Sequence, residues 1–392
     1  MKKKYLTVFA LVLSSSIALS THSTLALDSV TQPIATPTLT TTAEPTTPPA
    51  DTSTLNLSLE DALKAMETGN STLKLADSEL LIYDKQNQQA LARHGVNTSV
   101  VDEDSKKERE LNYKRSQWTL DNAKHDRDTQ LKAMKAQITN EYKGILTLHQ
   151  QADNLKTQLT NLDTVIDQVN LQIKLGLKIS SDIYSYTAQK SKLEAAQKAI
   201  LTSIKSSMIT LKEDLGLDIN RNVVLTSNPI QYTKFDDSDI NNTITKAIQN
   251  NYAIPKYKQD IEITQIEYDI DFYYSDLTAD QVQLSIEDKK ATLASLPVTL
   301  KVGFRTAYNT LKSLENTIKA DKLTVEADQI NVNVMQKNID VGKASSLEMI
   351  ALQNTLLNDQ FTLQQDINAY MTAAIKFQNS LDNSQLSATT EN

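Results

Sequence analysis

Few residue types that perform chemistry occur here in a pattern that would perform it. His94, His125 and His149 show no ligand spacing with Asp, Glu or another His, so they read as surface or groove positions rather than a metal site. There is no cysteine, which excludes disulfides, thiolate catalysis and a lipid-modified cysteine. No glycine-rich phosphate loop, nucleophile elbow or paired-carboxylate motif is present, so neither an enzyme nor a cofactor protein is expected. What remains is a pair of similar short runs. In the first, Gly176 is followed by Ser180, Ser181 and Asp182; in the second, Gly342 is followed by Ser345, Ser346 and Glu348.

Those runs interrupt long apolar heptads. From Leu131 apolar residues recur every seven positions at Ile138, Ile145, Ala152, Leu159, Ile166 and Ile173, with a second row at Leu148, Leu155, Leu162 and Val169. Phe304, Leu311, Ile318, Val325, Val332 and Ile339 form another series, and Met349, Leu356, Leu363, Tyr370 and Phe377 a third. Sustained heptads predict coiled-coil helices. One continuous helix from about Lys106 to Leu175 would reach roughly 100 Å. Gly176 and Gly342 can take the left-handed conformation that ends a helix, and the serines can cap the next one. Asp182 and Glu348 would then lie near a positive helix N-terminus. Trp118 reads as a heptad packing residue, and the run at 102–110 as a solvated helix start.

The pattern is used twice. "LEDALKAMETGN" from Leu59 aligns with "INNTITKAIQNN" from Ile240, and the Gly176 turn aligns with the Gly342 turn. Each half is predicted as a short helix, a stop at Gly69-Asn70 or Asn250-Asn251, a long arm, a glycine turn and a returning helix. Gly216 is a further stop, followed by a short strand near Val223–Thr226. The expected fold is all-α: two tandem antiparallel coiled-coil hairpins with a small irregular or β segment between them.

The flanks read differently. Lys2-Lys3-Lys4, an apolar run and Thr24-Leu25-Ala26 predict a signal peptide at 1–26. Its removal takes away three lysines and moves the formal charge from −8 to −11, which argues against nucleic-acid binding. Residues 27–56 form a Thr/Pro-rich tether. The expected division continues with a first repeat at 57–219, an equatorial segment at 220–238, a second repeat at 239–382 and a tail at 383–392.

In this order and spacing, "LSLEDALKAMETGN", "LGLKISSDIYSYTAQ", "LKEDLGLD" and "VGKASSLEMIALQ" resemble the TolC family of envelope efflux ducts over about residues 57–382. The resemblance implies a homotrimeric α-barrel stalk that works with a membrane-fusion adaptor and an inner-membrane exporter. It places the chain at the outer membrane or periplasm, or in the cell wall of an organism lacking an outer membrane. It also implies that Gly176, Ser180, Ser181, Gly342, Ser345 and Ser346 face the adaptor and that Asp182 and Glu348 ring the entrance, although helix-dipole complementarity alone would also select those two acids. Membrane strands need roughly nine to eleven alternating residues each. Neither the stretch after His94 nor the stretch from Asp276 to Pro297 supplies them, so the barrel is expected to be missing. The alternatives are an exported structural or adhesive coiled-coil protein without transport and, more distantly, an adaptor-type hairpin protein.

Overall fold

The computed structural model describes residues 53–96, 102–229, 231–344 and 346–382. The expected signal peptide, most of the expected tether and the expected tail lie outside the described residues.

Along the chain the elements are β1 (Leu55–Leu57), α1 (Leu59–Gly69), α2 (Ser71–His94), α3 (Glu103–Glu110), α4 (Asn112–Lys174) and α5 (Asp182–Asp214). They continue with β2 (Val223–Leu225), α6 (Ile240–Gln249), α7 (Ala253–Tyr273), α8 (Ala279–Asp340) and α9 (Ser346–Leu381). The helices α1, α2, α4 and α5 recur as α6, α7, α8 and α9, so the duplication expected from sequence is present. The predicted continuous helix from Lys106 is instead broken at Leu111 into α3 and α4. Leu111 is fully buried against Ile263 and Ile270 of α7, and that packing sets the break.

The duplicated cores superpose in sequence. Ile138, Tyr142, Ile145 and Ala152 on α4 correspond to Phe304, Tyr308, Leu311 and Ile318 on α8, each 166 residues on, as Gly176 does to Gly342. Ile204, Leu211 and Leu215 on α5 correspond in the same way to Tyr370, Phe377 and Leu381 on α9. On α4 the buried face then moves from the Ile138 row to Leu162, Val165 and Val169. A helix of 3.6 residues per turn drifts against a seven-residue repeat, so one row cannot stay inside over 63 residues.

The two hairpins, α4–α5 and α8–α9, meet along α4 and α9. The α4–α5 seam is largely apolar, whereas the α4–α9 junction is mainly a ladder of amides and hydroxyls. Gln158 donates to Asn358 at 2.9 Å, Asn161 to Asn354 at 3.2 Å, and Thr372 to Asn140 at 2.9 Å. On the other half of the long helices, α2 lies on α4 and α7 on α8. In the described residues α5 makes no extensive packing with α8, so α5 and α2 border one side of the layer and α8 the other.

A waist ties the halves to the long helices. The strands β1 and β2 pair in parallel, Leu55 opposite Val223. The buried Tyr142 hydroxyl donates to Leu57 O at 2.7 Å and accepts from the amides of Thr226 (3.1 Å) and Ser227 (3.0 Å). Its counterpart Tyr308 donates to Asp237 at 2.9 Å. Hydrogen bonds from Lys312 and Tyr308 hold the Asp237 carboxyl well below the usual carboxylate range. Beside Tyr142, Gly69 and Gly216 touch backbone to backbone: a Cβ on Gly69 would sit 2.1 Å from Leu215 O. Asn70 fills the kink between α1 and α2, accepting from the amides of Thr72 and Leu73 and donating to Asp214 O.

Tyr142→Phe should cost about 1 kcal/mol in chemical denaturation, because the Ser227 amide loses its partner while the Thr226 amide keeps its bond to Leu57 O. A second expectation concerns Glu141, half-buried near Asp214. Burial first, and then the Asp214 carboxylate, push the Glu141 carboxyl up to about 7. Its contribution is therefore intact below the ordinary value of 4.5 and is lost as pH rises through 7. Melting temperatures of the wild type and Glu141→Gln should coincide at pH 4 and separate above pH 7, with the variant higher.

Candidate functional site

The two glycine turns are built alike. α4 ends as the Gly176 amide donates to Ile173 O (3.0 Å) and the Leu177 amide to Gln172 O (2.8 Å). α8 ends as Gly342 donates to Ile339 O (2.9 Å) and Lys343 to Asn338 O (2.8 Å). These paired bonds satisfy carbonyls that the helix leaves open, and they require a left-handed residue. Gly176 has φ 73° and Gly342 φ 68°. No atom would obstruct a Cβ at either position, so glycine is there for its backbone and not for space.

Ser180 and Ser181 lie exposed in the first turn, and Asp182 opens α5. The expected serine cap is not made: Ser181 occupies the N-cap position but already has helical φ/ψ, and its hydroxyl makes no capping bond. Ser345 lies outside the described residues. Ser346 opens α9, and Glu348 is exposed in its first turn.

The fold brings the two tips to one end. Ile350, in the second turn of α9, packs against the cluster of Leu162, Val165 and Val169 that also holds Ile183 and Tyr186 of α5. A salt bridge of 2.6 Å between Lys190 and Asp163 fastens α5 to α4 nearby. Around the first turn a group of apolar side chains faces solvent: Leu175, Leu177, Ile179 and Tyr184, with Leu177 72% exposed. Val341 is the exposed apolar residue beside the second turn. The glycine and serine pattern drew attention to the turn itself. The alternation of Leu175, Leu177 and Ile179 was the signal for its apolar surface.

At the opposite end of α4 and α8 the connections are short. Eight residues separate α2 from α3, and five separate α7 from α8. Two spanning strands need about twenty residues, so neither connection has room for a membrane hairpin. Val282, Leu284 and Ile286 are helical in α8, with Ile286 buried and Leu284 exposed. The strands among the described residues are β1 and β2, three residues each. No helix among the described residues is long and apolar enough to cross a membrane. The α7–α8 turn has the same bonding as the tips, from Ser275 to Phe272 O and from Asp276 to Asp271 O, but its left-handed residue is Ser275 (φ 58°).

This end also gives the 102–110 run a role that composition alone did not show. Lys107 reaches the buried Asp271 at 2.7 Å and Glu103 at 2.5 Å. Burial pulls the Lys107 ammonium down, and the hydrogen bonds it donates to Asp271 and Glu103 outweigh that and hold it above its usual range. The oxygens of Glu103, Asp271 and Asp276 lie within 4.8 Å of one another, and the ammonium already supplies their positive charge. Trp118 packs against α7, and its indole N–H donates to Lys256 O at 3.3 Å. His94 is exposed and stacks on Tyr113, and the half-buried His125 stacks on Tyr252, which fits their reading as surface or groove positions.

No family model matches the sequence, and no curated protein matches it either. Solved structures do. The Campylobacter jejuni CmeC outer membrane channel matches with TM-score 0.63 and 9% identity over 84% of this chain and 86% of that one. The Vibrio cholerae outer membrane protein VceC matches with TM-score 0.61 and 12% identity over 83% and 95%. A membrane protein from Pseudomonas aeruginosa matches with TM-score 0.65 and 11% identity over 82% and 93%. The chain has the TolC-type channel fold. It has that fold without barrel strands among its described residues.

Two outcomes test this geometry. Gly176→Ala and Gly342→Ala should each destabilise by about 1–2 kcal/mol through backbone strain alone. Lys107→Ala leaves Asp271 buried without its cation and should cost about 3 kcal/mol, measurable by urea denaturation.

Proposed function

We propose that this chain is an exported TolC-like efflux component: a trimeric helical conduit in the cell envelope that extends the path of an exporter and its adaptor. The observation that carries the reading is the pair of unsatisfied borders of the helical layer. Along α8 the apolar residues Leu284, Val298, Val302, Leu323, Ile330 and Val334 face solvent, as do Leu201 and Ile209 on α5 and Leu81 and Ile82 on α2. A helix with an exposed apolar stripe needs a partner. Joining the α8 border of one copy to the α2/α5 border of the next satisfies both and, by rotation, closes a ring.

Within that assembly the turns around Gly176–Asp182 and Gly342–Glu348 are the adaptor-facing tips. Leu175, Leu177 and Ile179 would supply apolar contact area there, and Asp182 and Glu348 would give the entrance a negative field. The chain carries cargo passively, and the pump supplies the energy. Without barrel strands, the conduit would end short of an outer-membrane pore.

Light scattering on the mature chain should give three copies. Leu323→Glu with Ile330→Glu should shift it to a monomer that keeps its helical circular dichroism. A wild-type monomer at micromolar concentration would favour the structural-rod alternative and end the conduit reading. In a verified pump complex, Asp182→Lys with Glu348→Lys should alter transport or ion preference.

A further inference from the structure

The two hairpins share their core positions but differ sharply at four places on one seam. On the first hairpin, Leu155 and Leu162 of α4 and Leu193 and Ile200 of α5 occupy positions whose counterparts, 166 residues on, are Asp321, Asp328, Asp359 and Asp366. Leu162 is buried and Leu193 packs on its cluster, so these are core-facing positions of a coiled coil. On the second hairpin four carboxylates stand where that apolar seam would be.

They face one another in pairs across α8 and α9. Asp321 interacts with Asp366, and Asp359 with Asp328. All four are half-buried, and one oxygen each of Asp321 and Asp328 is shielded from water with no hydrogen-bond partner. None of the four joins an ion pair among the described residues. The nearby bases are committed elsewhere: Lys319 pairs with Glu315, and Lys322 lies over the Tyr232 ring. α4 presents to α9 the uncharged Asn140, Thr147, Asn154, Gln158 and Asn161. α6 and α7 meet α8 at Arg305 and Lys289, more than four helical turns before Asp321. The charged groups that bear on the pairs are thus the four aspartates themselves.

We propose that the α8–α9 arm is a proton-operated clasp: Asp321 with Asp366 and Asp328 with Asp359 hold the helices together while each pair keeps a proton, and let them part when both members ionise. In the closed form one carboxyl donates its O–H to its neighbour's carboxylate. Loss of that proton to solvent leaves two like charges in a half-buried seam, which Coulomb repulsion and desolvation both disfavour.

The sign follows from the environment. Burial and then Asp366 raise the Asp321 carboxyl above its ordinary value, while Asp328 and then burial raise Asp359. Groups raised on folding stabilise the closed arm below the unfolded value of 3.8, and that stabilisation is lost as pH rises through the folded values. The α4–α5 arm has leucine and isoleucine at the matching places, and its own acidic pair, Glu141 with Asp214, lies at the waist about four helical turns before Thr157. The clasp holds whether or not the arm lines a conduit.

The absence of cysteine makes the test direct. Spin labels at Leu323 and Thr362, on full-length chain diluted with unlabelled chain in EDTA, report the α8–α9 separation. Labels at Thr157 and Ala196, the matching exposed positions, report α4–α5. The expected result is a longer, broader α8–α9 distance at pH 8 than at pH 4 and no change in α4–α5. Asp321→Asn with Asp328→Asn should remove the shift, and Asp321→Leu, Asp328→Leu, Asp359→Leu and Asp366→Ile together should remove it and raise the melting temperature at pH 8. The same distance at both pH values in the wild type overturns the clasp, as does an equal shift in α4–α5. Survival of the shift in both variant sets, or its suppression at pH 8 by magnesium or calcium alone with EDTA omitted, overturns it as well.

Discussion

The structure depends on two helices that span both of its halves. α4 and α8 carry the hairpin partners α5 and α9 toward the tips and the shorter α2 and α7 toward the other end, and no other element reaches both. At 1.5 Å per residue each is about 95 Å long, far beyond what local propensity stabilises alone. Such a helix persists because something apolar lies on it along its whole length. The waist works on the same helices: Tyr142 and Tyr308, one on each, take the hydrogen bonds that locate the strands and the inter-repeat segment. Those segments act as straps around two long rods.

Three kinds of seam follow from this arrangement and behave differently. Within the first hairpin, leucine and isoleucine interlock and fix the register. Between hairpins, amides and hydroxyls of α4 and α9 exchange hydrogen bonds that water can replace at small net cost. The α8–α9 seam is a third kind, with apolar ends and carboxylates in its middle. The boundary between the two hairpins is therefore softer than the interior of the first. Motion between them would exchange these bonds and, at the tips, part Ile350 from the Leu162, Val165 and Val169 cluster.

Much of this was legible in the sequence because its signals are local. Gly176, Gly216 and Gly342 each stop a helix with the same backbone bonds, and glycine at a left-handed turn is readable in a chain with only seven. The heptads gave the helices, and their repetition gave the halves. The rest depended on partners distant in sequence. The break at Leu111 exists because α7 buries that leucine, and Lys107 left the solvated face because Asp271 needs a cation. The turn at Ser275 went unmarked because serine there replaces the usual glycine. For the tip residues, sequence showed where the chain turns. The apolar exposure of Leu175, Leu177 and Ile179 needed the fold around them.

The five-residue link between α7 and α8 has a consequence for how such chains change over time. Both helices are already terminated there by their own bonds, with Asp271 anchored to Lys107 from outside the link. An insertion at this point would lengthen a loop without shifting the phase of either helix, and a deletion back to five residues would leave both intact. The architecture can thus accept a longer excursion at this point without a change of register in the stalk beneath it.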